Sequence, residues 1–289
     1  MKKIIFLAIT ATIIVYACTS VPITGRRQLN LVSDGEVLSL SLQEYDSYIK
    51  SSKKSTDKTA TALVEKVGKN IANAVQLYYK SNNAEELLND YSWEFNLIED
   101  AQVNAFCMPG GKIAVYTGIL PVTQDETGLA VVIGHEVAHA IAKHTNERMS
   151  QQMVAQYGTE IVNSATKSKL VQQAFGIGSQ VGLLKYNRTQ ESEADHLGLI
   201  FMAIAGYDPQ FAVPFWQRMS QNNGNQTIQL LSTHPSDATR IAQIQKELPE
   251  ALEVYKGVWG SYPSGTTAPK IIPSDNTPDK SNTNEQWHF

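Results

Sequence analysis

Cysteine is nearly absent from this chain of 289 residues, which holds only Cys18 and Cys107. Cys18 directly follows an N-terminal leader and is expected to carry lipid, which leaves Cys107 without a partner and excludes a structural disulfide in the mature chain. Membrane-spanning apolar runs are missing as well. The run from Ile4 to Tyr16, behind Lys2 and Lys3, is shorter than the roughly twenty residues that a bilayer core requires, and reads as a secretory signal. Nor is there an excess of positive charge. Lys and Arg number 24 against 28 Asp and Glu, a formal net charge of −4, and losing Lys2 and Lys3 with the leader makes the mature chain more acidic. Nothing in this balance points to nucleic acid. Proline collects at one end: four of the 11 lie beyond Gly257, among Ser, Thr, Asn and Asp. That composition predicts a disordered tail rather than a second domain.

Val15-Tyr16-Ala17-Cys18 resembles a bacterial lipobox, with Tyr16 an unusual occupant, so Cys18 is expected to be acylated and to become the first mature residue. Acyl chains there would hold the protein to a membrane, at about 0.8 kcal/mol per buried methylene. A plain cleaved signal is the alternative. Cys107 is then either a small buried apolar residue or a reactive thiol near a cleft.

Against these absences stands His135-Glu136-Val137-Ala138-His139, an HExxH string. Residues four apart on a helix point the same way, so the two imidazoles can close on one metal while Glu136 lies beside it as a general base. The string alone is not specific, but its context is helical. Asp125 is placed to cap a helix with an apolar stripe of Leu129, Val132, Ile133, Val137, Ile141 and Ala142 and no proline. Two histidines leave a tetrahedral zinc shell incomplete, so a third ligand must come from elsewhere while one position stays open.

The segment from Arg188 to His196 offers it. Glu191 and Asp195 share a helical face, whereas Glu193 is turned about 160° away. Glu191 as ligand, with Asp195 accepting the free N–H of a ligand histidine, makes an efficient pair. Glu193 is the competing ligand, and an ordinary acidic helix start is the plain alternative. His144 lies about 140° round from His139, and His196 about 140° round from Glu191, which reads as two bystanders.

Four segments in order carry a resemblance: Asn104-Ala105-Phe106 with Pro109 to Val115, then HEVAH, then Glu191-Ser192-Glu193-Ala194-Asp195, then Thr233-His234-Pro235 with Arg240. They resemble metallopeptidase family forty-eight, the group of HtpX-type membrane proteases, CAAX prenyl proteases and BepA-like periplasmic proteases. The stand-alone periplasmic and mitochondrial members look most similar, over roughly residues 28 to 250. The resemblance implies an α+β, predominantly α-helical, zincin-like (gluzincin) domain with a small β-sheet, Zn2+ as the one cofactor and Glu191 as third ligand. It also implies that the hairpin around Pro-Gly-Gly aligns an extended substrate, through Asn104, Gly111, Ile113, Ala114 and Val115. His234, on a loop before a helix that Ser236 can cap, either donates to the oxyanion or fills the open zinc position until substrate displaces it. Arg240 either stabilises the same developing charge or pairs with a surface acid.

The expected organisation is a signal peptide over 1–17, a lipid-anchored tether over 18–32, a metallopeptidase domain over 33–257 and the tail over 258–289. With 42 % apolar residues the chain can bury a sizeable core. Helices are predicted from the Ser33/Glu36 capping pattern through Ile49 and from Thr59 to Tyr79, and strands near Trp93–Ile98, Ala105–Met108 and Lys112–Tyr116. From Asp125 to about Leu248 the pattern is helical, apart from loops at 206–209, 222–225 and before Pro235. The segment 155–186 reads as a packed helix, with a lid or a membrane-facing element as alternatives. The function expected is zinc-dependent endopeptidase action on misfolded or misassembled envelope proteins, from the periplasmic side of a bacterial membrane, the outer one favoured. The alternative is a zinc-stabilised, chaperone-like assembly factor with little proteolysis.

Overall fold

The computed structural model describes residues 18–21, 24–221, 230, 234 and 238–259. The signal, the tail from 260 onward, Ser236 and the predicted loop at 222–225 lie outside them, as does the side chain of Cys18. The chain enters as a two-stranded antiparallel ribbon of β1 (Cys18–Ser20) and β2 (Arg27–Leu29). Helix α1 (Asp34–Ser51) starts where Ser33 accepts a bond of 3.2 Å from the Glu36 amide. Helix α2 (Lys58–Ser81) is capped by Asp57, which accepts from the Ala60 amide at 3.0 Å. Side-chain acceptors at these positions satisfy amides that a helix start leaves open. Helix α2 buries Val64, Val67, Ile71, Val75 and Tyr78, the three-and-four spacing of one face.

The sheet holds β3 (Glu94–Ile98), β4 (Ala105–Met108) and β5 (Lys112–Tyr116) in the order β3-β5-β4. Strands β4 and β5 are the predicted hairpin, Ala105 facing Val115 and Met108 facing Lys112. Its turn needs two glycines, since Gly110 and Gly111 have φ of 88° and 79°, where a β-carbon is strained. Strand β3 pairs in parallel with the other side of β5. The residues expected to align a substrate are themselves engaged within the sheet. Ile113, Ala114 and Val115 are buried in the central strand, whose two edges are both paired. Asn104 gives its carbonyl to the Tyr116 amide, and Gly111 gives its own to Glu94. Among the described residues, β4 pairs only with β5, so the free edge of the sheet on that side belongs to Ala105–Met108.

Helix α3 (Glu126–Ile141) carries the HExxH string. Asp125 accepts from the Gly128 amide at 2.8 Å, and every residue from Gly128 to Ile141 is buried. It crosses the long helix α5 (Lys169–Ile204) where Gly134 meets Gly198. A β-carbon on Gly198 would lie 3.0 Å from the His135 amide nitrogen, so only small residues let the helices approach this closely. Between α3 and helix α4 (His144–Ala165) the chain breaks at Lys143, with φ 56°. Among the described residues, α6 (Ala212–Gln221) and α7 (Ala238–Trp259) follow. The last overruns its predicted end near Leu248 and contains Pro249. Ala251 is buried, and Leu248 and Val254 pack on the same core; that packing offsets the lost backbone bond. The expected packed helix over 155–186 is also corrected. The far ends of α4 and α5 form an arm on which Tyr157, Ile161, Leu170 and Ile177 are 58–76 % exposed. No described helix is long and apolar enough to cross a membrane.

Candidate metal centre

His135 and His139 lie one turn apart on α3, and the Gly134–Gly198 crossing brings Glu191 of α5 alongside them. His234 follows Leu230, whose carbonyl accepts its amide at 2.7 Å. One donor atom from each of these four residues falls within 4.8 Å of all the others, and all four are buried. Glu136, between the histidines, is 4 % exposed and its Oε1 lies 3.6 Å from His234 Nε2.

The surrounding bonds set which ring nitrogens face inward. His135 Nδ1 is 3.0 Å from Asp195 Oδ1, so it donates there and leaves its Nε2 lone pair free. His139 Nδ1 is 2.7 Å from Nδ1 of His144, whose Nε2 is 2.9 Å from Glu193 Oε2. A donor chain from His139 through His144 to Glu193 likewise leaves the Nε2 of His139 unprotonated. The two Nε2 atoms are 3.1 Å apart. Facing lone pairs at that separation repel unless a proton or a metal cation lies between them. His234 Nδ1 approaches Glu191 Oε1 at 2.9 Å and His135 Nε2 at 3.2 Å. Buried Oε1 of Glu136 has no hydrogen-bond partner, which leaves it free for a water.

Electrostatics favour positive charge here. Burial disfavours the charged form of His135, but bonds to Asp195 and Glu191 outweigh it and raise its pKa to about 9. Burial likewise opposes ionisation of Glu191, yet three histidines hold its carboxyl far below the usual range. For Asp195 the same contest is won by Arg240 and His135. His139 goes the other way, since burial drives its pKa well down. A buried pocket with two ionised carboxylates that already draws a proton onto His135 suits a divalent cation in that proton's place, and a set of three imidazoles and one carboxylate suits a transition metal such as zinc.

Arg240 is not a surface partner. It grips Asp195 with two bonds of 2.7 Å, bonds the His234 carbonyl at 3.2 Å and lies 3.5 Å over the ring of Trp216. Its charge is committed to holding Asp195, and with it His135. His144 is no bystander either. The break at Lys143 turns its ring back beneath His139, where a continued helix would have carried it away. His196 does stay outside, 3.8 Å from Glu250 at the surface. Glu193, the rival ligand, holds His144. Sequence reasoning missed the next layer, in which Arg26 reaches Glu193 at 2.7 Å and Glu147 at 2.9 and 2.7 Å, while Thr24 also donates to Glu193. The signal available was two acids, Glu147 and Glu193, at core-facing positions of predicted helices. Cys107 is partly buried and free, and burial together with nearby Glu136 raises its thiol pKa well above the ordinary value, which fits a packed apolar residue better than an activated thiol.

A buried HExxH helix crossed by a second helix that brings a carboxylate marks the metallohydrolase class. The comparisons narrow it. The profile of Peptidase family M48 matches residues 58–248, and the chain belongs to that family. It is 38 % identical over 167 residues to the mitochondrial metalloendopeptidase OMA1 of Schizosaccharomyces pombe, spanning 57 % of this chain and 49 % of that one. With the human metalloendopeptidase OMA1, mitochondrial, identity is 28 % over 248 residues, 81 % of this chain and 46 % of the relative. With the beta-barrel assembly-enhancing protease of Yersinia pestis it is 27 % over 161 residues, 52 % and 33 %. The chain thus spans about half, or less, of the length of the curated relatives it matches. Both kinds of relative are named as proteases, the first group mitochondrial, so the family and a metal-dependent site are common ground, while a bacterial envelope role is not.

Proposed function

We propose that this chain is a zinc-dependent endopeptidase acting on misfolded or misassembled proteins of a bacterial envelope, to which Cys18 anchors it. The observation that carries the chemistry is the convergence of His135, His139 and Glu191 beside an unpartnered Glu136 carboxylate. These three would hold the zinc and leave its fourth position to water, beside His234. Bound there, zinc supplies Lewis-acid chemistry, acidifying water and polarising the scissile carbonyl. Glu136 takes the proton of the attacking water and passes it to the leaving amine. Asp195 and Arg240 keep His135 in the tautomer that donates outward. An extended substrate would pair with the edge of β4, a mode that reads backbone rather than sequence and so suits unfolded chains.

The envelope assignment is supported by the signal-like leader, the lipobox pattern and the similarity to beta-barrel assembly-enhancing proteases. The test is Glu136→Gln. Metal content should stay at parental level while hydrolysis of an unfolded protein falls on the order of a thousandfold. Unchanged hydrolysis would remove Glu136 from the chemistry. The placement of His234 among the donors favours a second reading, a latent enzyme or assembly factor whose proteolysis is held off by that imidazole. His234→Ala separates the two, a gain of peptidase activity supporting latency and a loss supporting an oxyanion role.

A further inference from the structure

The arm formed by the far ends of α4 and α5 has no role in the metal site. From Ile161 to Gln190 the sequence contains Lys167, Lys169, Lys185 and Arg188 and not one acid, so all 28 aspartates and glutamates lie elsewhere. The four cations are exposed. Alongside them, Val154, Tyr157 and Ile161 on α4 and Leu170, Ile177 and Leu184 on α5 are 50–76 % exposed. The spacings of three, four and seven put each set on one side of its helix. Phe175 packs over Gly158, which joins the two helices without covering these stripes. Contiguous apolar surface of this kind is rarely left to water in a soluble protein.

We propose that this arm docks on an anionic lipid surface, its apolar side chains entering the headgroup boundary and its four cations meeting lipid phosphates. The charge distribution selects this occupant. An overall acidic protein keeps a stretch over 161–190 with four cations and no acid, bordered by exposed Glu160, where Ile161, Leu170, Ile177 and Leu184 are exposed. Two basic pairs, Lys167 with Lys169 and Lys185 with Arg188, spaced along this exposed apolar arm match a negatively charged bilayer face. Neither helix is long and apolar enough to cross, so the arm lies on the surface. The same α5 continues inward to Glu191 and Asp195, so docking would fix the orientation of the cleft relative to the membrane. The N-terminal segment is laid along the root of the arm, with the Leu31 amide bonded to Ser150 at 2.9 Å.

The experiment uses the full chain with Cys18→Ala, to exclude an acyl anchor, floated with vesicles of phosphatidylcholine with and without phosphatidylglycerol. Any leader is common to all variants, so differences among them read the arm. Binding should need phosphatidylglycerol and weaken with salt. Lys167→Glu with Lys169→Glu should lower partitioning on the order of tenfold or more, and Leu170→Asp with Ile177→Asp should do the same. Lys167→Gln with Lys169→Gln, a milder change, should give a smaller loss with unchanged helix content and so guards against misfolding. Equal binding to both vesicles, or variants that bind like the parent, would overturn the proposal. So would a parent oligomer in vesicle-free solution that the Leu170/Ile177 variant dissociates, which would assign the face to a second copy of the chain.

Discussion

The two histidines of the HExxH string are each aimed by an acid outside the set of candidate donors. Asp195 orients His135 directly, and Glu193 orients His139 through His144. Truncating such support typically lowers metal affinity about 10–100-fold without removing a ligand. Asp195→Asn and Glu193→Gln should each do so in chelator competition, whereas exposed Glu250, 3.8 Å from half-buried His196, should tolerate Glu250→Gln with affinity unchanged because surface pairs of this kind contribute little. Equal affinity in all three variants would show that the acids do not position the rings. Half of this layer was legible in the sequence. Asp195 follows from its spacing to Glu191, because both lie on one uninterrupted helix. His144 does not, because a single left-handed residue at Lys143 resets the angular count, and ordinary lysine gives no warning of it.

At the scale of elements, the helix crossing decides whether the donors meet. Gly134 and Gly198 sit where α3 and α5 touch backbone to backbone, and a methyl group on Gly198 has only main-chain atoms to push against. Gly198→Ala should therefore cost about 1–3 kcal/mol in thermal or denaturant unfolding and weaken metal binding, since the displaced helix carries Glu191 and Asp195. The exposed arm of the same helix supplies the opposite case. Gly176 has nothing within 4 Å of a new β-carbon, so Gly176→Ala should stabilise by about 0.5–1 kcal/mol through helix propensity alone. Two destabilised variants would mean that the crossing is not special. The elements themselves were readable from periodicity and caps, since Asp125 and Ser33 announce helix starts by local chemistry. The strand order was not. Alternation shows that β4 and β5 form a hairpin, but only long-range pairing of β3 with β5 makes β5 central and leaves β4 as the edge strand.

In the whole molecule, the ligand-bearing helix is tied to the chain's entry segment by one guanidinium. Arg26 is 20 % exposed at its side chain, while the carboxylates it holds, Glu147 and Glu193, are 1 % and 4 % exposed. Replacing it by an apolar residue of similar length leaves two buried acids without their cation, and breaking a buried pair from one side costs about 3–5 kcal/mol. Arg26→Met should therefore lower the unfolding free energy by an amount of that order. It should also speed hydrogen exchange across residues 18–31, because Arg26 and the Leu31–Ser150 bond hold that segment against α4. Metal affinity should fall too, since Glu193 loses a partner that fixes it toward His144. Arg26→Lys restores one charge without the forked geometry and should recover only part of each effect. If Arg26→Met unfolds at the parental midpoint, the entry segment is merely draped on the catalytic core, and a pull on an anchored N-terminus would have no path to the metal.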